Sequence, residues 1–167
     1  MTTILEQKNP NLQTPPPDLR QDLGNVILLK LALDAVQALD SDKVNAAGQG
    51  MDKLRPQMML TLLAFSYAAR IYASRDIEWA IGRDPTVHYI CARTFPGWQA
   101  IRRFRRSNRE LIEQALTYVL RKGLLLQAEQ PSCESSEFPV EDLSQLALAD
   151  ARSRIEAAII TDMAESD

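Results

Sequence analysis

Between Pro56 and Ile71, the residues Leu60, Leu63, Ala64, Tyr67, Ala68 and Ile71 recur at i, i+3, i+4, i+7, i+8 and i+11. That is the spacing of one face of an α-helix. Nowhere in the 167 residues does a Val/Ile/Thr-rich alternating run read as a strand. Leu, Ala, Gln, Glu and Arg, all good helix formers, dominate the composition. The chain is therefore expected to be all-α, a compact bundle of five to six short helices.

Local stop and start signals divide the chain. Asn9-Pro10 and Pro15-Pro16-Pro17 favour extended backbone, so residues 1–18 read as a disordered arm. A first helix is expected over Leu19 to Leu39, with Lys30, Asp34 and Gln37 as its one polar stripe and the rest apolar. Ser41 to Gly50 is polar and Gly-containing and reads as a loop. Pro56 suits the first turn of the second helix, where a missing N–H costs nothing. Ser74 is a candidate cap for a third helix that Gly82 ends, and Asp84-Pro85 is a cap-plus-first-turn pair for a fourth. Phe95-Pro96-Gly97 is a turn, after which a basic helix starts at Trp98. Ser107 and Glu110 have capping-box spacing, so a new helix starts at Asn108 or the chain runs on unbroken. Gly123 is a natural residue to end it. A main domain over 19–126, a linker over 127–139 and a loosely attached acidic helix over 140–167 follow. That last helix is weakly amphipathic through Leu143, Ala147, Ala151, Ile155 and Ile159.

The net charge of −3 conceals an uneven distribution. Ala92 to Lys122 carries eight basic residues against Glu110 and Glu113, a net of +6. From Glu129 onward ten acids face only Arg152 and Arg154, a net of −8. An overall acidic balance thus does not argue against a polyanionic partner, because the local field decides. Cys91 and Cys133 stand far apart with no CxxC spacing, so neither a disulfide framework nor a zinc site is expected. The stretch from Val26 to Leu39 is too short and too charged to span a bilayer, and the N-terminus lacks a signal-peptide core. A cytoplasmic protein without membrane contact, cofactor or metal is the expectation.

The string from Leu54 to Arg106 resembles the N-terminal domain of InsH-type insertion-sequence transposases. The matching positions are Pro56, Leu60, Leu63, Tyr67, Ile71, Ser74-Arg75, Ile77-Glu78, Tyr89, Pro96, Ile101 and Phe104-Arg105. Weaker similarity extends back to Pro17-Asp18-Leu19 and forward to Gly123-Leu124. Ala73 departs from the family's paired serines, and Gly97 to Ala100 replaces its usual polar cap. Such transposases continue into a strand ending Asp-Gly-Thr, the first acid of a DDE catalytic domain. Here Leu124 leads instead into LLQAEQPSCESSEF. The resemblance implies a DNA-binding front part without the catalytic acids, so no DNA cleavage is expected from this chain alone.

Arg102, Arg103, Arg105, Arg106 and Arg109 are the candidate DNA contacts. On a continuous helix, Arg102, Arg105, Arg106 and Arg109 fall within about one third of the circumference, while Ile101 and Phe104 face the core. Arginine's planar fork suits phosphate oxygens and guanine edges. Double-stranded DNA, namely transposon ends, is the expected partner, contacted by a helix-turn-helix-like pair around Pro96.

Arg105 has an alternative reading as a structural residue paired with an acid such as Glu78. Arg75 and Glu78 are spaced to pair with each other. His88, the only histidine, reads as a surface or partly buried residue, and Trp79 and Trp98 as core or rim. Glu134, Glu137, Asp142 and Asp150 read as a solvated acidic face rather than a metal site.

Three rival functions remain open at this point. One is a regulator that binds itself or a full-length transposase through its apolar first helix or acidic last helix. Another is the non-catalytic part of a split transposase, and the last is an inert remnant. The acidic last helix also has the charge to fold over the arginines and screen them.

Overall fold

The computed structural model describes residues 17–50, 54–129 and 140–165. Among them there are only helices: α1 (Leu19–Leu23), α2 (Asn25–Gln37), α3 (Ser41–Ala47), α4 (Pro56–Ala68), α5 (Ser74–Ile81), α6 (Pro85–Cys91), α7 (Trp98–Ser107), α8 (Arg109–Ala128) and α9 (Val140–Ala164). The all-α expectation holds, with more and shorter helices than anticipated. The extended arm expected over 1–18 lies almost wholly outside the described residues, as does most of the 127–139 linker.

Every residue of α4 from Met59 to Ala68 is buried. A helix apolar on all sides belongs at the centre of a bundle, and α4 is packed by α2, α6, α8, α3 and α9. Pro56 occupies its first turn, as its missing N–H allows. Asp84 accepts hydrogen bonds from the Thr86 and Val87 amides (2.9 and 3.4 Å) and so caps α6, with Pro85 following. Asp18 caps α1 in the same way through the Arg20 amide.

The single first helix expected over Leu19–Leu39 is in fact two. Gly24 adopts φ +87°, a left-handed conformation that ends α1 and turns the chain into α2. The loop expected over Ser41–Gly50 contains a short helix, because the Asp40 carboxylate accepts from the Asp42 amide and starts α3.

Gly123 does not end the basic segment's helix; α8 continues through it to Ala128. The glycine serves a close approach instead. A Cβ there would lie 3.1 Å from Leu19 Cδ1.

The last helix is not loosely attached. α9 packs along α8 more extensively than any other pair of helices meets. Ala147, Ala151, Ile155 and Ala158 are fully buried in the common core. Small side chains let the two backbones come close.

A second anchor is charged. Arg154 is entirely buried and donates to the Asp150 carboxylate (3.0 Å) and to the carbonyls of Tyr67, Ala68 and Pro17 (3.0, 2.9 and 2.7 Å). Two of those carbonyls belong to the last turn of α4 and its cap region, where a helix leaves acceptors unpaired and favours a cation. No helix among the described residues is long and apolar enough to cross a membrane.

Candidate nucleic-acid interface

The basic segment is not one helix. α7 stops at Ser107, and α8 starts at Arg109. Asn108 lies between them at φ −132°, ψ 32°, and its side-chain amide donates to the Phe104 carbonyl at the end of α7 (3.0 Å). The capping box expected from Ser107 and Glu110 does not form: Ser107 is the last residue of α7, and Asn108 makes no side-chain cap bond to α8.

Despite the break, Arg102, Arg105, Arg106 and Arg109 line one cleft of about 290 Å³, closed on its other side by Ile155, Ile159, Asp162 and Met163 of α9. Ile101 and Phe104 are buried and fix α7 to the core, as expected. α7 packs chiefly against α5 and α8 rather than its chain neighbour α6. The helix-turn-helix-like pairing anticipated around Pro96 is therefore not how α7 is held.

The five candidate arginines divide into two groups. Arg105 is only 3% exposed. It donates to the Asp162 carboxylate, which also accepts from the Ser74 amide (2.8 Å) and the Ser74 hydroxyl (2.6 Å). The acid that pairs with Arg105 is thus Asp162, not Glu78. Arg102 lies at the same carboxylate (3.6 Å), donates to the Asp162 carbonyl (2.9 Å) and stacks over the Trp98 ring at 4.6 Å. Both arginines serve this structural cluster, and Arg105 is withdrawn from the exposed face.

Arg103, Arg106 and Arg109 are exposed. Among the described residues, Arg103 and Arg106 have no ion-pair partner, and Arg109 has one, Glu156, at 3.4 Å. That pair is half-exposed on both sides, a type worth at most about 1 kcal/mol.

The electrostatics of the buried cluster are consistent with a locked ion pair. Burial raises the Asp162 pKa, but the two Ser74 bonds and the Arg105 charge outweigh it and leave the carboxyl below its ordinary value. Burial likewise opposes the Arg105 charge, yet Asp162 and Tyr67 hold it above its ordinary value. The Tyr67 phenol beside them is pushed up to about 12, chiefly by burial, against the lowering effect of Arg105. These groups keep one charge state across neutral pH. Asp162 also places an anion at the N-terminus of α5, where the helix dipole favours one. Ser74 therefore serves as the first residue of α5 and as donor to α9, not as the cap expected of it.

Other singled-out residues have structural roles. Glu78 does not pair with Arg75; it accepts the Trp98 amide (2.9 Å) and caps α7 across the fold. Arg75 lies over the Trp98 ring at 4.7 Å. Trp79 is 62% exposed and stacks with Arg83 at 4.3 Å. His88 Nδ1 is 3.1 Å from the Ile81 carbonyl, and its ring tilts against Phe95. Cys91 is buried, and its thiol is pushed up to about 11 by desolvation. No group of three or more metal-ligating side chains occurs among the described residues. Of the acids weighed for a metal site, Glu134 and Glu137 lie outside the described residues, and Asp150 is taken by Arg154.

Asp162 and Arg154 are the residues that sequence reasoning missed. Their sequence signal was faint: one acid and one arginine on a long helix rich in alanine. No family model matches the chain, and neither a curated protein nor a solved structure shows significant similarity to it.

Proposed function

We propose that the chain is a double-stranded-DNA-binding module that contacts the phosphate backbone through Arg103, Arg106 and Arg109. The observation that carries this reading is the exposure of these three arginines on α7 and the first turn of α8, with only the weak Glu156 pair to neutralise them among the described residues. The α7 helix is rigidly held by buried Ile101 and Phe104, by the Glu78 cap and by the Trp98 stack. Such a support lets long side chains be offered from a fixed base, so less entropy is lost on binding. Arg102 and Arg105 support α7 from beneath instead of touching DNA. On the motif resemblance of Leu54–Arg106 to transposase N-terminal domains alone, the ends of an insertion sequence are the proposed target.

Fluorescence anisotropy on labelled duplex tests the reading, with Arg103, Arg106 and Arg109→Ala combined in one variant. Loss of at least tenfold in affinity by this variant, with the Lys43→Ala control binding as the wild type does, is the expected result. Equal binding by all three proteins removes the assignment.

A further inference from the structure

The outer face of α2 is apolar at the ends of a charged pair. Val26 is 81% exposed and Leu33 41%, and Leu29 is partly buried beside them. Together with Pro85 and the 68% exposed Tyr89 of α6, these residues border an open groove of about 510 Å³. Lys30 and Asp34 lie one helical turn apart on the same face, and both line that groove. Neither makes an ion pair with any described residue. Their order along the helix, cation before anion, is the poorer one for an intrahelical pair. The face therefore combines exposed apolar side chains with two unlike charges that do not satisfy each other.

We infer that this face binds a second copy of the chain, α2 against α2 in antiparallel orientation about a two-fold axis. Two-fold interfaces use the same patch twice and must be self-complementary. An axis crossing α2 midway between Lys30 and Asp34 sets each Lys30 opposite the other copy's Asp34. It also brings the two Leu33 side chains together near the centre. Val26 then reaches the Gln37 end of the opposite helix, and Tyr89 lies at the rim, the position that an amphipathic ring favours. The inner face of α2 packs on α4 and α8, so the association requires no rearrangement of the core. A standard stable interface buries roughly 800 Å² per partner, whereas this face offers one helix and the edge of a short second one. Self-association in the micromolar range is thus expected. The inference stands apart from the DNA reading: none of its residues belongs to α7, α8 or α9.

Charge exchange tests it, read by sedimentation velocity from about 1 to about 200 µM protein. Lys30→Glu and Asp34→Lys, each alone, face like charge with like across the axis and weaken association by at least about tenfold. An equimolar mixture of the two single variants recovers association, because each then meets its opposite, and so does the double variant K30E/D34K alone. Both positions are on the surface, and unchanged thermal unfolding of the monomers checks that the fold is kept. A wild-type chain that stays monomeric throughout overturns the inference. So do single variants that associate like the wild type, or a mixture that stays monomeric.

Discussion

Replacing Asp162 by Ala removes one carboxylate that the Ser74 amide, the Ser74 hydroxyl, Arg105 and Arg102 share. The Ser74 amide and hydroxyl lose their acceptor, and the Arg105 guanidinium, with its side chain 4% exposed, loses its counter-charge. Arg102 retains its bond to the Asp162 carbonyl and its Trp98 stack. Deleting one partner of a buried pair typically costs about 3–5 kcal/mol, because the charge left behind stays desolvated. Asp162 and Arg105 both border the cleft that Met163 also lines, so the lower part of that range, about 3 kcal/mol, is expected. Asp162→Asn keeps the shape and an acceptor oxygen for Ser74 and should cost less, about 2 kcal/mol. Urea unfolding followed by circular dichroism at neutral pH measures both.

The same pair predicts a pH effect. Because the folded-state pKa of Asp162 is lowered, its contribution is complete above the ordinary carboxylate value of about 4. It fades as pH falls through the lower folded-state value. Wild-type stability should therefore drop more steeply than that of Asp162→Asn on acidification below about pH 4. An Asp162→Ala cost under about 1 kcal/mol, the range of an exposed ion pair, would refute the docking of α9 on α5 and α7.

Three further outcomes follow from the packing. Arg154→Lys should cost about 2–3 kcal/mol, since a single ammonium cannot reach Asp150 and three carbonyls at once; the same unfolding assay checks it. Ala92 closes α6 at φ 52°, ψ −116°, strained for any residue with a Cβ. Ala92→Gly should accordingly raise stability by about 1 kcal/mol and the melting temperature by about 2–4 °C, read by calorimetry. In a Cys133→Ser background, Cys91 should resist thiol reagents at neutral pH until the chain unfolds, because its thiol is buried and pushed up to about 11. Rapid labelling of the folded protein would contradict its placement.

Where the signal was local, the sequence was legible. Pro56, Asp84-Pro85 and Gly82 mark helix ends through their own backbone chemistry, and each stands where expected. The spacing of Leu60, Leu63, Ala64 and Tyr67 found α4, although it understated how completely that helix is enclosed. Some local signals were missed, such as Gly24 and Asp40, and the other failures are tertiary. Gly123 looked like a terminator, but its missing Cβ makes room for Leu19, a residue more than a hundred positions away. Glu78 looked like a partner for Arg75, three residues off, yet it caps α7 twenty residues away. Arg102, Arg105, Arg106 and Arg109 share one helical spacing, and spacing cannot distinguish arginines that face solvent from arginines that face an acid. Only the position of α9 separates Arg105, paired with Asp162, from Arg106, which stays exposed. That position depends on Ala147, Ala151 and Ala158, whose small side chains carry little sequence signal but allow close helix packing.

The salt dependence of duplex binding tests the central claim most directly. Each phosphate contact contributes a slope of about −0.9 in log affinity against log salt. Three contacts from Arg103, Arg106 and Arg109 predict a wild-type slope near −3, lowered in magnitude by about one for each arginine replaced singly by alanine. A wild-type slope near zero, or one that none of the three replacements changes, would contradict the assignment of the DNA contact to this face.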